Sequence, residues 1–246
     1  MSPDGIITTI AGLSPTVPMV DGAPVLNANV NAVSRIAAGP DGTIYFIDYR
    51  KPQVWAIVPG FPPTLRHVAG NGILLGSPSS DCAPPALPNC GDGGDARLAD
   101  LDGPIDLAVG ADGTVFIADE YSTHAIRRVG PEGMISTYFY TKSVGVQSIS
   151  LRSDGVMFAV KGINPANITR IEANGTVRSA NVVNDIGTEW CGFSVNFPVI
   201  FARPDESFLV NCQTTIIERT PSGSSVRIGG SGNLSKGGML VMVALR

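Results

Sequence analysis

GADGTVFIADEYSTHAIRRVGPEGMISTYFY, residues 110–140, holds three short hydrophobic runs broken by small turns. TVFIAD, AIRRV and MISTYFY are too short for ordinary globular helices. They are rich in the β-branched and aromatic residues that suit a pleated sheet, so each reads as a strand. Asp112-Gly113, ahead of the first run, accepts positive φ at little cost and reads as a hairpin turn, and Pro131-Glu132-Gly133 marks the next reversal.

The same grammar occurs four times. VSRIAAGPDGTIYFIDYRKPQVWAIVPG starts at Val33, IDLAVGADGTVFIADEYSTHAIRRVGPEG at Ile105, QSISLRSDGVMFAVKGINPANITRIEANG at Gln147 and FPVIFARPDESFLVNCQTTIIERTPSG at Phe197. Each reads strand, tight turn, strand, loop, strand, turn, and a fourth strand follows: TLRHVAG, MISTYFY, TVRSANVV and SSVRIGG. The central turns, Asp41-Gly42, Asp112-Gly113, Asp154-Gly155 and Asp205-Glu206, are 71, 42 and 51 residues apart. The fourth keeps the acid and loses the glycine, which leaves its turn type open.

Quartets of short antiparallel strands in units of about 40 residues are the signature of propeller blades. One such sheet has two apolar faces and cannot bury both alone, whereas blades stacked around an axis bury them on one another. The expectation is therefore an all-β propeller occupying residues 1–246 as one domain, with blades near 30–70, 101–140, 145–183 and 193–230 and an insertion over 72–100. GIITTIAG at 5–12 reads as a fourth strand without its first three. GGMLVMVALR at the C-terminal end reads as a first strand without successors. The ring is then partial or reduced, and an apolar blade face is left at each end for flanking blades or another chain.

Composition narrows the function. The chain carries 17 basic and 21 acidic residues, net −4, with 29 glycines and 19 prolines. No Lys/Arg run is longer than the two residues of Arg127-Arg128, so the concentrated positive surface that nucleic acid requires is not expected. No run reaches the roughly 18 apolar residues of a membrane span. The beginning, MSPDGIITTIAG, lacks the basic and apolar regions of a signal peptide. Cys82, Cys90, Cys191 and Cys212 allow three pairings, of which 82 with 90 and 191 with 212 close the shortest loops. Asn167, Asn174 and Asn233 each head an Asn-X-Ser/Thr triplet. The even cysteine count and these triplets point to an extracellular or secretory-route protein.

The motifs GDGGDARLADLDGPIDLAVGADGTVFIADEYSTHAIRRV, AAGPDGTIYFIDYRKPQVWAIV, IITTIAG and ISTYFY resemble the NHL-repeat β-propeller family, in its teneurin-like or bacterial extracellular and sensor-type forms. The resemblance is clearest over 91–140, good over 1–72 and thin after 141, where the Ala-Asp and Arg-Arg elements are missing. It implies a radial blade fold, commonly six-bladed, used in adhesion receptors, sensors and binding partners, and it implies no single activity. Two enzymatic relatives bound the alternative: an NHL-type lyase with zinc-bound histidines and calcium-dependent sugar-lactone hydrolases.

Asp48 and Asp119 each end a second strand and are expected to accept N–H bonds from the loop that follows, or to pair with Arg127 or Arg128. Val160-Lys161 and Val210-Asn211 hold the equivalent places, so no ring of four carboxylates forms. CGDGGDARLAD gathers Asp92, Asp95, Asp100 and Asp102 without the spacing or the glutamate of an EF-hand. It reads as a capped connection between blades, with Asp92 and Asp95 as the calcium candidates and no cofactor expected. His67 and His124 are the two histidines, fewer than a zinc catalyst's usual protein ligands. Ser122, His124 and Asp119 lie close together but lack a G-x-S-x-G elbow. IGGSGNLSKGG misses the phosphate-loop pattern at the residue after Lys236. Trp190 and Glu189, before the fourth blade, and Tyr121 and His124, in a loop of the second, are the binding candidates. The expected function is a non-catalytic binding or scaffold module that meets protein or glycan through inter-strand loops. The alternative is a metal-dependent propeller hydrolase or lyase with its site on the axis.

Overall fold

The turns dictate the architecture. Gly42, Gly113 and Gly155 take φ of +82°, +84° and +83°, the left-handed region in which glycine meets no Cβ penalty. The preceding aspartate closes each turn. Asp41 Oδ1 accepts the Thr43 N–H at 3.0 Å while Oδ2 accepts the Thr43 hydroxyl at 2.9 Å. Asp112 does the same with Thr114, at 3.0 and 2.8 Å. These bonds lower the pKa of both aspartates, the backbone N–H being the larger cause. In the fourth copy Glu206 occupies the glycine slot at φ +67°, and Asp205 still caps the turn by accepting from the Ser207 N–H at 3.0 Å.

The computed structural model describes residues 5–30, 32–73, 90–121, 124–141, 144–162, 167–178, 199–212, 215–220 and 224–229. Four antiparallel four-stranded sheets result. Blade one is β1 (Val33–Ala38), β2 (Ile44–Asp48), β3 (Gln53–Val58) and β4 (Thr64–Ala69). Blade two is β5 (Pro104–Val109), β6 (Val115–Asp119), β7 (Ala125–Val129) and β8 (Ile135–Tyr140). Blade three is β9 (Val146–Leu151), β10 (Met157–Lys161), β11 (Asn167–Ile171) and β12 (Val177–Arg178). Blade four is β13 (Val199–Ala202), β14 (Phe208–Cys212), β15 (Thr215–Arg219) and β16 (Ser225–Gly229). In each sheet the strands pair in chain order, and the first strands β1, β5, β9 and β13 neighbour one another in sequence. The chain is therefore a run of propeller blades with first strands innermost. Among the described residues no helix is long and apolar enough to cross a membrane.

Apolar cores fill the seams. Tyr45, Ile47, Val54 and Ala56 of blade one meet Leu107, Val109, Val115 and Ile117 of blade two. Phe116, Ala118 and Ile126 meet Ile149, Met157 and Ala159 across the next seam. Phe158 and Val160 meet Ile200, Phe208 and Val210 across the last.

Two features depart from the sequence expectations. Residues 5–12, among the described residues, form no strand, and residues 5–10 are exposed. Residues 90–101 belong to the repeat and not to an insertion, for 92–101 repeat the bonds that 21–30 make to a blade edge, at an offset of 71 residues, the spacing of the first two Asp-Gly turns. Gly22 and Gly93 N–H donate to Leu65 and Ile135 O, both at 2.8 Å; Leu65 and Ile135 N–H donate to Ala23 and Gly94 O; Val25 and Ala96 N–H donate to Pro63 and Gly133 O. Asp21 and Asp92 accept the N–H of His67 and Thr137, at 2.7 and 2.9 Å. Each segment clamps the outer edge of a blade, β4 or β8, whose backbone groups would otherwise be open to another strand. The clamp escapes a strand-based reading because it contributes only isolated bridges, Pro24 with Thr64 and Asp95 with Met134.

Candidate functional site

Polar side chains on the inner strands join the blades. Asp106 on β5 lies at the centre: its Oδ2 accepts from the Ser148 hydroxyl at 2.6 Å and the Ile149 N–H at 2.9 Å, both on β9. Its Oδ1 accepts the Leu107 N–H at 3.0 Å and lies 3.7 Å from Arg35 Nε on β1. Ser148 and Ser150 pass the connection on, accepting the Ile200 and Ala202 N–H of β13 at 3.2 and 2.9 Å. Burial raises the Asp106 pKa, against the lowering effect of these donors. The sequence reading missed this belt. Its signal is a polar residue at the third place of three successive first strands, Arg35, Asp106 and Ser148.

Among the described residues, one mouth of the blade array carries the β2–β3 and β6–β7 loops. Asp48 Oδ1 accepts the Arg50 N–H at 3.0 Å, within the loop that follows it. Asp119, fully buried, instead accepts the Asp102 N–H at 2.8 Å, from the connection entering its own blade. That bond fixes the loop base, where the Glu120 and Tyr121 N–H groups donate to Gly103 O and Asp102 O at 3.1 and 3.0 Å. The Tyr121 ring lies against Gly103, where a Cβ would come within 2.2 Å of it. Tyr121 and Tyr49, in the corresponding loop of blade one, are 63 % and 57 % exposed. Glu120 Oε1 accepts from the Gln147 amide, and burial raises the Glu120 pKa. His124 takes φ +44° and places Nδ1 2.7 Å from the Glu120 carbonyl oxygen. A carbonyl only accepts, so Nδ1 carries the proton and, in the neutral ring, Nε2 is left as an acceptor. Tyr49, Glu120 and Gln147 were not among the sequence candidates.

The acidic loop serves the clamp. Arg127 has 0 % exposure; its Nη2 donates to Asp92 Oδ1 at 2.5 Å and to the Cys90 carbonyl at 3.3 Å, and Nη1 reaches the Asp100 carbonyl at 3.5 Å. Asp95 caps the short 3-10 turn Ala96–Leu98 and pairs with Arg97 at 2.6 Å, bonds that bring its pKa down to about 2. The two calcium candidates are thus each bonded to a guanidinium, and among the described residues no three His, Cys, Asp or Glu gather as a metal site. Arg128, next to Arg127 on β7, is half-buried and lowers the Asp112 pKa through space, after the Thr114 bonds. His67 stacks on Trp55 with centroids 4.6 Å apart. Cys90 is buried and disulfide-bonded. Cys82, Cys191, Trp190, Glu189, Ser122 and Asn233 lie outside the described residues, as do the side chains of Asn167 and Cys212. Asn174 is exposed in a turn, its Oδ1 accepting the Thr176 N–H at 2.9 Å.

The second clamp, the Asp112-Gly113-Thr114 turn and the Ala118-Asp119 strand end lie together within one span. Residues 64–161 match the family model of the Teneurin NHL domain. The matched span runs from β4 through blade two to the end of β10. Among solved structures, virginiamycin B lyase from Staphylococcus aureus superposes with a TM-score of 0.53 at 17 % identity, over 83 % of this chain and 58 % of the other. A Bacteroides thetaiotaomicron protein of unknown function gives 0.61 at 16 % identity, over 92 % and 50 %. A Xanthomonas campestris gluconolactonase gives 0.55 at 10 % identity, over 84 % and 64 %. These likenesses establish the propeller fold. The chain spans between 50 % and 64 % of the length of these three proteins. A search of curated proteins finds no match.

Proposed function

We propose that this propeller is a binding module whose ligand, a protein or a glycan, meets the mouth formed by the β2–β3 and β6–β7 loops. The observation that carries the reading is the division of labour among polar groups. On the axis Asp106, Ser148 and Ser150 bond to neighbouring blades, whereas at the mouth Tyr49 and Tyr121 turn large amphipathic rings to solvent. Exposed tyrosines on rigid loops supply contact area at low entropic cost. Trp190 and Glu189 belong to the same reading. So do an extracellular setting and the Cys82–Cys90 and Cys191–Cys212 pairings, supported by the disulfide-bonded Cys90 and the three Asn-X-Ser/Thr triplets. No cofactor is required.

The names of two of the superposed proteins, a lyase and a gluconolactonase, keep catalysis as the competing reading. Purified protein applied to glycan and peptide arrays, with and without EDTA, alongside a lactone-hydrolysis assay, separates the two. Saturable binding that survives EDTA and weakens in Tyr121→Ser is the expected result. EDTA-sensitive turnover without array binding overturns it.

A further inference from the structure

The repeat shows what covers each part of a blade face. In blade two the outer half is covered by its clamp, through Ala96, Ala99 and Leu101, and the inner half by Tyr45, Ile47 and Val54 of blade one, which leave Leu107 4 % exposed. In blade one the outer half is covered in the same way: Val25, Ala28 and Met19 pack on Phe46, Trp55 and Leu65. Its inner half is not. Ile36, the residue equivalent to Leu107, is 69 % exposed, and Val33 and Ala38 beside it on β1 are exposed too.

The opposite end of the array carries the complementary face. Phe201, Leu209 and Ile216 of blade four hold the places of Ala108, Phe116 and Ile126, by their register to the Asp-Gly-type turn. In blade two those three are buried against blade three. In blade four all three are only half-buried. Val226, paired with Glu218 on the same face, is 49 % exposed.

We propose that these two faces bind each other between two copies of this chain, blade four of one copy taking the position on β1 that blade one takes on β5. The occupant follows from the molecule's own seams: the inner half of a blade face is covered by the far face of another blade of the same kind. The contact is heterologous, since the two patches differ, so a pair of copies can close it twice.

Sedimentation of the 246-residue chain over a range of concentrations tests this, with Ile36→Lys and Val226→Lys as probes. Both residues are exposed in the single chain, so each variant is expected to keep the parent's unfolding midpoint within a few degrees. The expected result is a concentration-dependent dimer, weakened at least about tenfold by either substitution, because each buries an unpaired lysine. Mixing the two variants is expected to restore a one-to-one complex through the one intact seam, at concentrations where neither variant dimerises alone. A monomer at every concentration overturns the proposal. So does a dimer that Ile36→Lys abolishes and Val226→Lys leaves intact, which would place like face on like face.

Discussion

The two clamps, 21–30 and 92–101, share one backbone and differ in what they lock onto. In the first, Asp21 accepts the His67 N–H, and the space beside it is filled by Trp55 stacked on His67. In the second, Asp92 accepts the Thr137 N–H, and Arg127, in the register place of Trp55, fills the space with a guanidinium bonded to Asp92. The same edge-capping device is thus sealed once by an aromatic stack and once by a buried ion pair. Backbone bonding preserved the shape while the side-chain chemistry changed.

Asp92→Asn is the most direct way to break this comparison. The amide keeps an acceptor for Thr137 but leaves a fully buried guanidinium facing carbonyls alone. Removal of one partner of a buried pair costs about 3–5 kcal/mol, and urea unfolding is expected to show a loss of that order. Arg127→Met is expected to cost less, because Asp92 keeps the Thr137 bond and its side chain is 20 % exposed to water. Asp21→Asn at the first clamp is expected to cost at most about 1 kcal/mol, since only one backbone bond is weakened. Equal losses at Asp21 and Asp92 would show that the ion pair contributes nothing beyond the shared backbone bond.

Asp106 sharpens the comparison at a seam with no clamp among the described residues, where β5 and β9 are joined by a carboxylate. Burial holds its folded pKa above the ordinary 3.8. The folded protein therefore keeps this proton to higher pH than the unfolded chain, and the Asp106 contribution to stability falls as pH rises from 3.8 through the folded value. Urea midpoints measured across that window are expected to decline less steeply with pH in Asp106→Asn than in the parent. Asp106→Ala, which strands the Ser148 hydroxyl and Ile149 N–H, is expected to cost about 1–3 kcal/mol at the low-pH end of that window. An unchanged pH slope in the asparagine variant would remove Asp106 from this role.

The blades were legible because strand quartets and Asp-Gly-Thr turns are local signals: alternation fixes the faces and the left-handed glycine fixes the reversal. The clamp was not, since its residues neither alternate nor form a strand, and only the 71-residue offset between VDGAPVLNA and GDGGDARLA exposes it. Site chemistry was legible only where one loop contains it. Tyr121 and His124 sit within a single loop, whereas the partners of Asp106 lie 42 and 71 residues away along the chain, at Ser148 and Arg35. In sequence Arg127 reads as a partner for Asp119 or Asp48. Strand alternation instead points it across the sheet toward the clamp, which reads in sequence as part of an inserted loop.

The smallest effect lies at the turn where the repeat breaks its own rule. Glu206 stands at φ +67°, where three other copies use glycine, and this conformation costs a non-glycine residue about 1 kcal/mol. Its carboxylate lies 3.2 Å from Arg170 and 3.7 Å from Arg152, both on blade three. Such partly exposed ion pairs stabilise by about 0–1 kcal/mol. Glu206→Gly removes the strain and the ion pairs together, so a change within about 0.5 kcal/mol is expected, more favourable in high salt, where the ion pairs are screened. Glu206→Ala keeps the strain and loses the ion pairs, and is expected to be the less stable of the two at every ionic strength. If the glycine variant instead loses several kcal/mol in low salt, the arginine pairs hold the last seam as firmly as Arg127 and Asp92 hold the first, and the contrast between buried and surface ion pairs fails.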